Sequence, residues 1–358
     1  MEKERKSRSW FSRLTFGTAS LALSGLLLLS YASVIVNPAK AWFFTIFGLL
    51  FFPLTLLTIL FFIWALWRRS RMAGLLLVML LPAFLLLGRY YQLKGPEDPP
   101  EPTLKVVSYN VGLFFHSDEK ADRLTLTDSV AAYLCRTGAD IICLQEFYLP
   151  NSVDVDRYLR EHFPQYHAAY YVLTGKSGHS GNVTLSRRPV VGKGRLEFEK
   201  SANLAFYTDI RLASSTVRFY NCHFESYNIS IPALLKGIGK DEELVEDTGR
   251  KMRRSITQRP RQVETVIRDV DECPVRSVVL GDFNDTPLSY TYQRLRRGRK
   301  DPFIEAGKGF GATYRSFQPL LRIDYILYPE DLEAVSYQVD RVRYSDHYPV
   351  IVTFHEKR

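Results

Sequence analysis

Three stretches without a charged side chain, residues 14–36, 42–67 and 72–88, dominate the first quarter of this chain. Each approaches the roughly 20 apolar residues that a helix needs to cross a hydrocarbon core, where backbone N–H and C=O groups must be satisfied within the segment. The pattern predicts three membrane-spanning helices, about 14–36, 42–67 and 72–91. The third run is short, and Arg89, Tyr90 and Tyr91 can complete it by reaching to the interface. A cleaved signal peptide competes for the first run alone, but three runs in succession favour an anchor in the lipid bilayer. Pro53 and Pro82 fall within runs two and three, where they predict kinks.

Basic residues then set the orientation. The tail, residues 1–13, carries Lys3, Arg5, Lys6, Arg8 and Arg13, and the second connection carries Arg68, Arg69 and Arg71, whereas the first has only Lys40. Positive residues stay inside, so the reading is a multi-pass protein of the cell membrane with the rest of the chain extracytoplasmic. Residues 92–103, including Gly95-Pro96-Glu97-Asp98-Pro99-Pro100-Glu101-Pro102, read as a stiff spacer lifting that remainder off the bilayer. Residues 104–358 are long enough to bury one substantial core.

The net charge of +9 is inflated by these topological residues. Two clusters remain, Arg250-Lys251-Met252-Arg253-Arg254 with Arg259 and Arg261, and Arg294 to Lys300. They fit either a solvated face or a phosphate-attracting surface. Neither is interleaved with the aromatics of a dedicated single-strand binder. Cys135, Cys143, Cys222 and Cys273 lack C-x-x-C spacing, which argues for buried thiols over a zinc site, with a disulfide left open.

Chemistry is concentrated at the ends of apolar runs. Val278-Val279-Leu280-Gly281 delivers Asp282 and Asn284, two residues apart and so on one face of an extended segment, although Gly-Asp-x-Asn also makes an ordinary Asx turn. Asn110 follows Lys105-Val106-Val107, Glu146 follows Ile141-Ile142-Cys143, and His223 follows Phe219-Tyr220. Asp324 sits in Arg322-Ile323-Asp324-Tyr325, and Asp346-His347 lies near the C-terminus. Polar groups repeated at one end of several buried strands cost desolvation energy unless they converge on partners or a metal. Strand-like runs at 104–110, 140–145, 181–186, 205–212, 216–223, 276–281, 323–328 and 348–354 alternate with helical patterns near 121–136, 153–162, 257–270 and 289–297. This interleaving suits a layered α/β domain. Residues 227–256 read as a mobile loop over the site.

The ordered set Asn110, Glu146, His223, Asp282-x-Asn284, Asp324 and Asp346-His347, with Gly181-Asn182-Val183-Thr184-Leu185-Ser186-Arg187-Arg188-Pro189-Val190, resembles the endonuclease/exonuclease/phosphatase superfamily over roughly residues 104–355. The resemblance implies a two-sheet α/β sandwich with flanking helices, here preceded by the membrane segment, and hydrolysis of a phosphodiester or phosphomonoester in nucleic acid, a phospholipid head group or an inositol phosphate.

An oxygen-rich ligand set favours Mg²⁺, or Mn²⁺, held by Glu146 with Asn110 and Asp346 in support. Asp282 would activate water, Asn284 and Asn182 would bind substrate, and His223 and His347 would bond a phosphoryl oxygen or protonate a leaving group. Asp324, amid apolar neighbours, would pair with His347, as the resemblance also implies. A carboxylate partner for His223 is not identifiable, Glu225 being merely near in sequence. The alternatives are a non-catalytic phosphate-ligand binding protein and a scaffold or transporter acting through its spans, but the three uncharged runs carry no acidic, basic or histidine residue to mark a solute path. No obligate protein partner is inferred.

Overall fold

The computed structural model describes residues 2–95, 103–115, 122–199, 201, 203–212, 215–227, 242–316 and 319–356. Its N-terminal unit consists of α1 (Glu2–Ala32), α2 (Phe43–Leu49), α3 (Phe51–Trp67) and α4 (Met72–Leu87), with α1, α3 and α4 in mutual contact. Ser12–Ala32 of α1 is the single helix long and apolar enough to cross a membrane among the described residues, and a second qualifies if α2 and α3 form one span. Of the three expected spans, length and composition thus support the first and, as a bent pair, the second, whereas Met72–Leu87 is a shorter apolar helix. The second run bends by 62° between α2 and α3. Pro53 falls in the first turn of α3, where its missing N–H costs little, so the helix starts beside it instead of kinking around it. At 17 and 16 residues, α3 and α4 are each roughly 25 Å long. Arg68 at the end of α3 donates to Ser12 Oγ at 2.9 Å, which brings the basic second connection to the basic end of α1.

The remainder comprises, in order, β1 (Tyr91–Gln92), β2 (Thr103–Asn110), α5 (Arg123–Arg136), β3 (Ile141–Pro150), α6 (Val155–His162), β4 (His167–Thr174), β5 (Gly178–Ser186), β6 (Val190–Glu197), β7 (Leu204–Arg211), β8 (Thr216–His223), α7 (Glu242–Glu272), β9 (Ser277–Asp282), α8 (Tyr290–Arg296), α9 (Pro302–Ala306), β10 (Gly309–Phe310), β11 (Asp324–Leu327), β12 (Leu332–Val339) and β13 (Val350–Glu356). A six-stranded sheet, β12-β13-β2-β3-β5-β4, faces a five-stranded sheet, β11-β9-β8-β7-β6. Strand alternation fills both sides of each sheet. Val106 and Ile141 meet Phe219, Val278 and Leu280 between the sheets, whereas Val107 and Ile142 pack outward against Val130 and Leu134 of α5. On the other outer face, Tyr220 and Val279 pack against Val263 and Ile267 of α7. The domain is the expected two-sheet α/β sandwich with helices outside.

Within the two main sheets, β2–β3 and β8–β9 are the parallel pairs. Asn110, Glu146, His223 and Asp282 accordingly leave the sheets at one edge. β13 closes the other side of β2, with Ser108 opposite Val350 and Thr103 opposite His355.

Three sequence expectations change here. Residues 242–256 belong to a 31-residue helix, α7, instead of a loop. Ion pairs Glu246–Arg250 and Asp247–Lys251 at i,i+4 support its first turns. The proline-rich stretch 96–102 lies outside the described residues, but the domain does not stand off from the helices. Leu288, in the loop after β9, is buried among Leu27, Phe51, Ala83 and Tyr90. Ser33 Oγ donates to the Leu288 carbonyl at 2.9 Å, Arg89 Nη1 to the Pro287 carbonyl at 3.2 Å, and Arg322 Nη2 to the Arg89 carbonyl at 3.1 Å. Arg89, Tyr90 and Tyr91 thus join the domain, Tyr91 through the β1–β10 pairing, instead of extending a span. The basic clusters are also partly structural: Arg259 is buried on Asp285, and Arg294 grips Glu264 at 2.7 and 2.9 Å.

Candidate active site

Asp282 ends β9 with its side chain 1% exposed. Gly281 before it has φ +123°, and a Cβ there would collide with the Cys222 carbonyl of β8, so only glycine lets the two strands run so close. Asp282 Oδ1 accepts from the Asn284 N–H at 2.8 Å, the Asx turn foreseen from sequence. Oδ2 faces the site and accepts from Asn110 Nδ2 at 2.9 Å and Asn284 Nδ2 at 3.0 Å. The same oxygen lies 3.8 Å from both His223 Nε2 and His347 Nε2. Burial is the main cause that lifts the Asp282 carboxyl to about 6, with His347 opposing and Asp324 reinforcing it.

His347 is buried, and its Nδ1 sits 2.9 and 3.2 Å from the two oxygens of Asp324. Burial alone would lower the imidazole pKa, but the Asp324 and Asp282 carboxylates outweigh it and raise it to about 10. Asp324 is fixed from behind, since its N–H and that of Ile323 both donate to Thr313 Oγ1 at 3.1 and 3.0 Å. Ser345 Oγ donates to the Asn110 carbonyl at 2.9 Å and accepts from the His347 N–H at 3.2 Å, joining the last site loop to β2.

Glu146 sits at a register shift in β3 and has φ +51°, as does Asn284. Left-handed backbone at two non-glycine residues of one site is strain held in place by its surroundings. The Glu146 carboxylate approaches His223 Nε2 at 3.3 Å, outside hydrogen-bonding alignment, so this buried nitrogen has no hydrogen-bond partner. Glu225, meanwhile, accepts from Ser201 Oγ at 2.7 Å, so the carboxylates beside His223 are Glu146 and Asp282.

Ligand atoms of Glu146, His223 and Asp282 lie within 4.8 Å of one another, as do those of Asp282, Asp324 and His347. Two carboxylates beside an orphaned imidazole nitrogen fit a divalent cation. Asn110 turns its amide nitrogen to Glu146 (3.1 Å) and Asp282, while its oxygen accepts from the Gly112 N–H at 2.9 Å. In this orientation its amide nitrogen donates to both carboxylates. Asp346 belongs to neither cluster; its backbone carbonyl accepts from the Arg315 N–H at 2.8 Å. Asn182, on β5, donates to the Asn221 carbonyl at 3.0 Å and so ties one sheet to the other. Asn284 has its amide N–H groups on Phe224 O (2.9 Å) and Asp282.

Sequence reasoning passed over Thr313 and Ser345, as well as Gln145 and Asn221, which bond each other at 2.7 Å beneath the site. Small hydroxyls in loops and amides inside strands carry no sequence signal of their own.

Residues 107–347 match the Endonuclease/Exonuclease/phosphatase family. The chain belongs to that family. Residues 12–90 separately match a domain of unknown function, and no curated protein matches the chain. Similar solved structures include family proteins from Bacteroides vulgatus (17% identity, TM-score 0.54, 72% of this chain and 100% of that one) and Beutenbergia cavernae DSM 12333 (18%, 0.53, 71% and 72%). A D. rerio TDP2 structure complexed with single strand DNA product matches at 16% identity and TM-score 0.50, over 71% of this chain and 100% of that one. These likenesses concern the fold. For this endonuclease/exonuclease/phosphatase family member, burial raises the Asp282 carboxyl while carboxylates raise the neighbouring His347 imidazole, which sets two titratable groups side by side in unlike environments.

Proposed function

We propose that the protein is a divalent-metal-dependent phosphoesterase held at a membrane by its N-terminal helices. The observation that carries this reading is the position of Asp282 Oδ2, 3.8 Å from both His223 Nε2 and His347 Nε2, with Asp324 behind His347. Glu146, beside His223 and Asp282, would anchor the cation. When bound, Mg²⁺ or Mn²⁺ supplies charge neutralisation at the phosphoryl oxygens. Asp282, ionised above about pH 6, takes the proton of the attacking water. His347 is the cationic donor to a non-bridging phosphoryl oxygen, and Asp324 holds its ring. His223 is the candidate proton donor to the leaving group. Asn110 and Asn284 aim the Asp282 carboxylate, and Asp346 and Asn182 are candidates for cation and substrate contact respectively.

The three apolar segments and the basic residues gathered at one end support a multi-pass anchor with the sandwich outside the cytoplasm. An alkaline phosphatase fused after Arg358 should be active, and a fluorescent protein at that position dark. The reverse pattern would sink the orientation. Purified full-length protein should hydrolyse bis-p-nitrophenyl phosphate with Mg²⁺ or Mn²⁺ and lose activity in excess EDTA. Undiminished turnover in EDTA would overturn the metal dependence, and absence of turnover with any divalent cation would favour a non-catalytic phosphate-ligand binding protein.

A further inference from the structure

A crevice of about 510 Å³ opens where the helices meet the sandwich, walled by Phe52 of α3, Leu87 and Gly88 at the end of α4, and Tyr90, Tyr91 and Phe310. That volume is within the roughly 300–1,000 Å³ of small-molecule sites. The walls are aromatic and aliphatic, and Lys94 is the single cation among the lining residues. The α4 surface beside it is an uninterrupted apolar one, with Leu81, Phe84 and Leu85 exposed, and Leu93 of the crevice is itself 84% exposed. Surface of this composition is covered by hydrocarbon in a membrane-held protein.

The opposite wall leads to the chemistry. Phe310 precedes Thr313, which fixes Asp324, and Tyr314, whose ring lies 5.0 Å from that of His347. Four residues of chain span at most about 14 Å, so crevice and site lie within the length of one lipid molecule.

We infer that the substrate is a membrane lipid phosphate ester whose acyl chain occupies this crevice while its phosphate reaches Asp282 and His347. Lys94 supplies the charge that an anionic head group meets. The inference rests on the phosphoesterase reading and narrows it to one substrate class.

The test uses full-length protein in nanodiscs of dioleoyl phosphatidylglycerol, with turnover of that lipid measured against turnover of bis-p-nitrophenyl phosphate. A Cβ at Gly88 would meet nothing nearer than Gln92 Nε2 at 3.7 Å, so a side chain can start there, and Gly88→Trp is the substitution that puts bulk into the crevice. It should lower the lipid-to-soluble turnover ratio at least about tenfold, while Gly88→Ala stays within about twofold of wild type. Leu77→Trp, exposed about three turns along α4 from Gly88 and outside the crevice lining, should leave the ratio unchanged. In parallel, a phosphatidylglycerol with a diazirine near its acyl terminus should crosslink to peptides containing residues 87–94 or 310. Turnover of the soluble ester without lipid hydrolysis, preference for single-stranded DNA, or an unchanged ratio in Gly88→Trp would overturn the inference. Loss of soluble-ester turnover as well would instead count against the phosphoesterase reading, and crosslinking would still decide the crevice, its absence sinking the acyl-chain assignment.

Discussion

Replacing Leu288 by alanine tests whether the site depends on its seat against the helices. The side chain is wholly buried, and its neighbours Leu27, Phe51, Ala83 and Tyr90 come from the helical unit and its exit segment. Truncating a buried leucine costs about 2–5 kcal/mol, because the lost transfer energy is joined by an unfilled cavity. At about 1.4 kcal/mol per factor of ten, the lower figure already shifts the docking equilibrium roughly thirtyfold. Ser33 and Arg89 donate to backbone carbonyls, and these links survive the substitution, so loosening, not full release, is expected. Asn284 and Asp285 lie on the same loop, and Asn284 aims Asp282. Amide exchange across 283–289 should therefore accelerate, and kcat for a soluble ester should fall about three- to tenfold with KM little changed. Hydrogen–deuterium exchange and steady-state turnover in nanodiscs measure both, with Leu60→Ala on the exposed face of α3 as control. Unchanged exchange across the loop together with turnover within twofold of wild type would refute the reasoning. By the same logic a 103–358 fragment should fold yet show the same loosened loop, since it leaves Leu288 without its cover.

Other outcomes follow from the site itself. Asp282→Ala and His347→Ala should each reduce kcat by at least about a hundredfold, and Asp324→Asn by less than either; near-normal turnover in Asp282→Ala would end the water-activating role. Arg259→Ala leaves Asp285 charged and buried without its 3.1 Å partner, and thermal denaturation should register about 3–5 kcal/mol of lost stability; a Tm within a degree of wild type would contradict the pairing. In chelator-treated protein, the His347 imidazole, raised to about 10, should stay protonated up to pH 8 and lose its proton only above that, whereas Asp324→Asn should titrate lower because the principal charge holding the proton is gone. Histidine-selective NMR follows both, and identical titrations would remove Asp324 from that role.

Much of this architecture was legible because it obeys local rules. All eight anticipated strands are present, and the expected two-sheet architecture is the observed one. The strands that escaped notice in the main sheets, β4, β6 and β12, are all edge strands. Along β6 the burial alternates between intermediate and exposed, so its apolar signal is half that of a central strand. The first half of α7 is not legible as a helix because Gly249 and a dense run of charges hide helical periodicity, while its support comes from i,i+4 ion pairs and from Arg259 reaching Glu225 and Asp285. Charged residues such as Asp282 and Asp324 announced themselves by interrupting apolar runs. Thr313 and Ser345 could not, since their importance lies in bonds to residues 10 or more positions away. The turn of the Asn110 amide toward Glu146 and Asp282, and the bend before Pro53, depend on tertiary neighbours and helix-start geometry that composition does not encode.

The placement of β2 between β3 and β13 has a consequence for biosynthesis. The strand that ends in Asn110 lacks one flank until residues 350–355 have been made, about 240 residues later. At about 5–20 residues per second, this delay is roughly 10–50 s, long after the apolar helices have left the ribosome. The sheet that carries Asn110 and Glu146 is therefore completed only with β13. A chain that terminates ten or twenty residues early would lack β13 and leave β2 with one open edge, so on the phosphoesterase reading an incomplete translation product would carry the N-terminal helices but not a finished site.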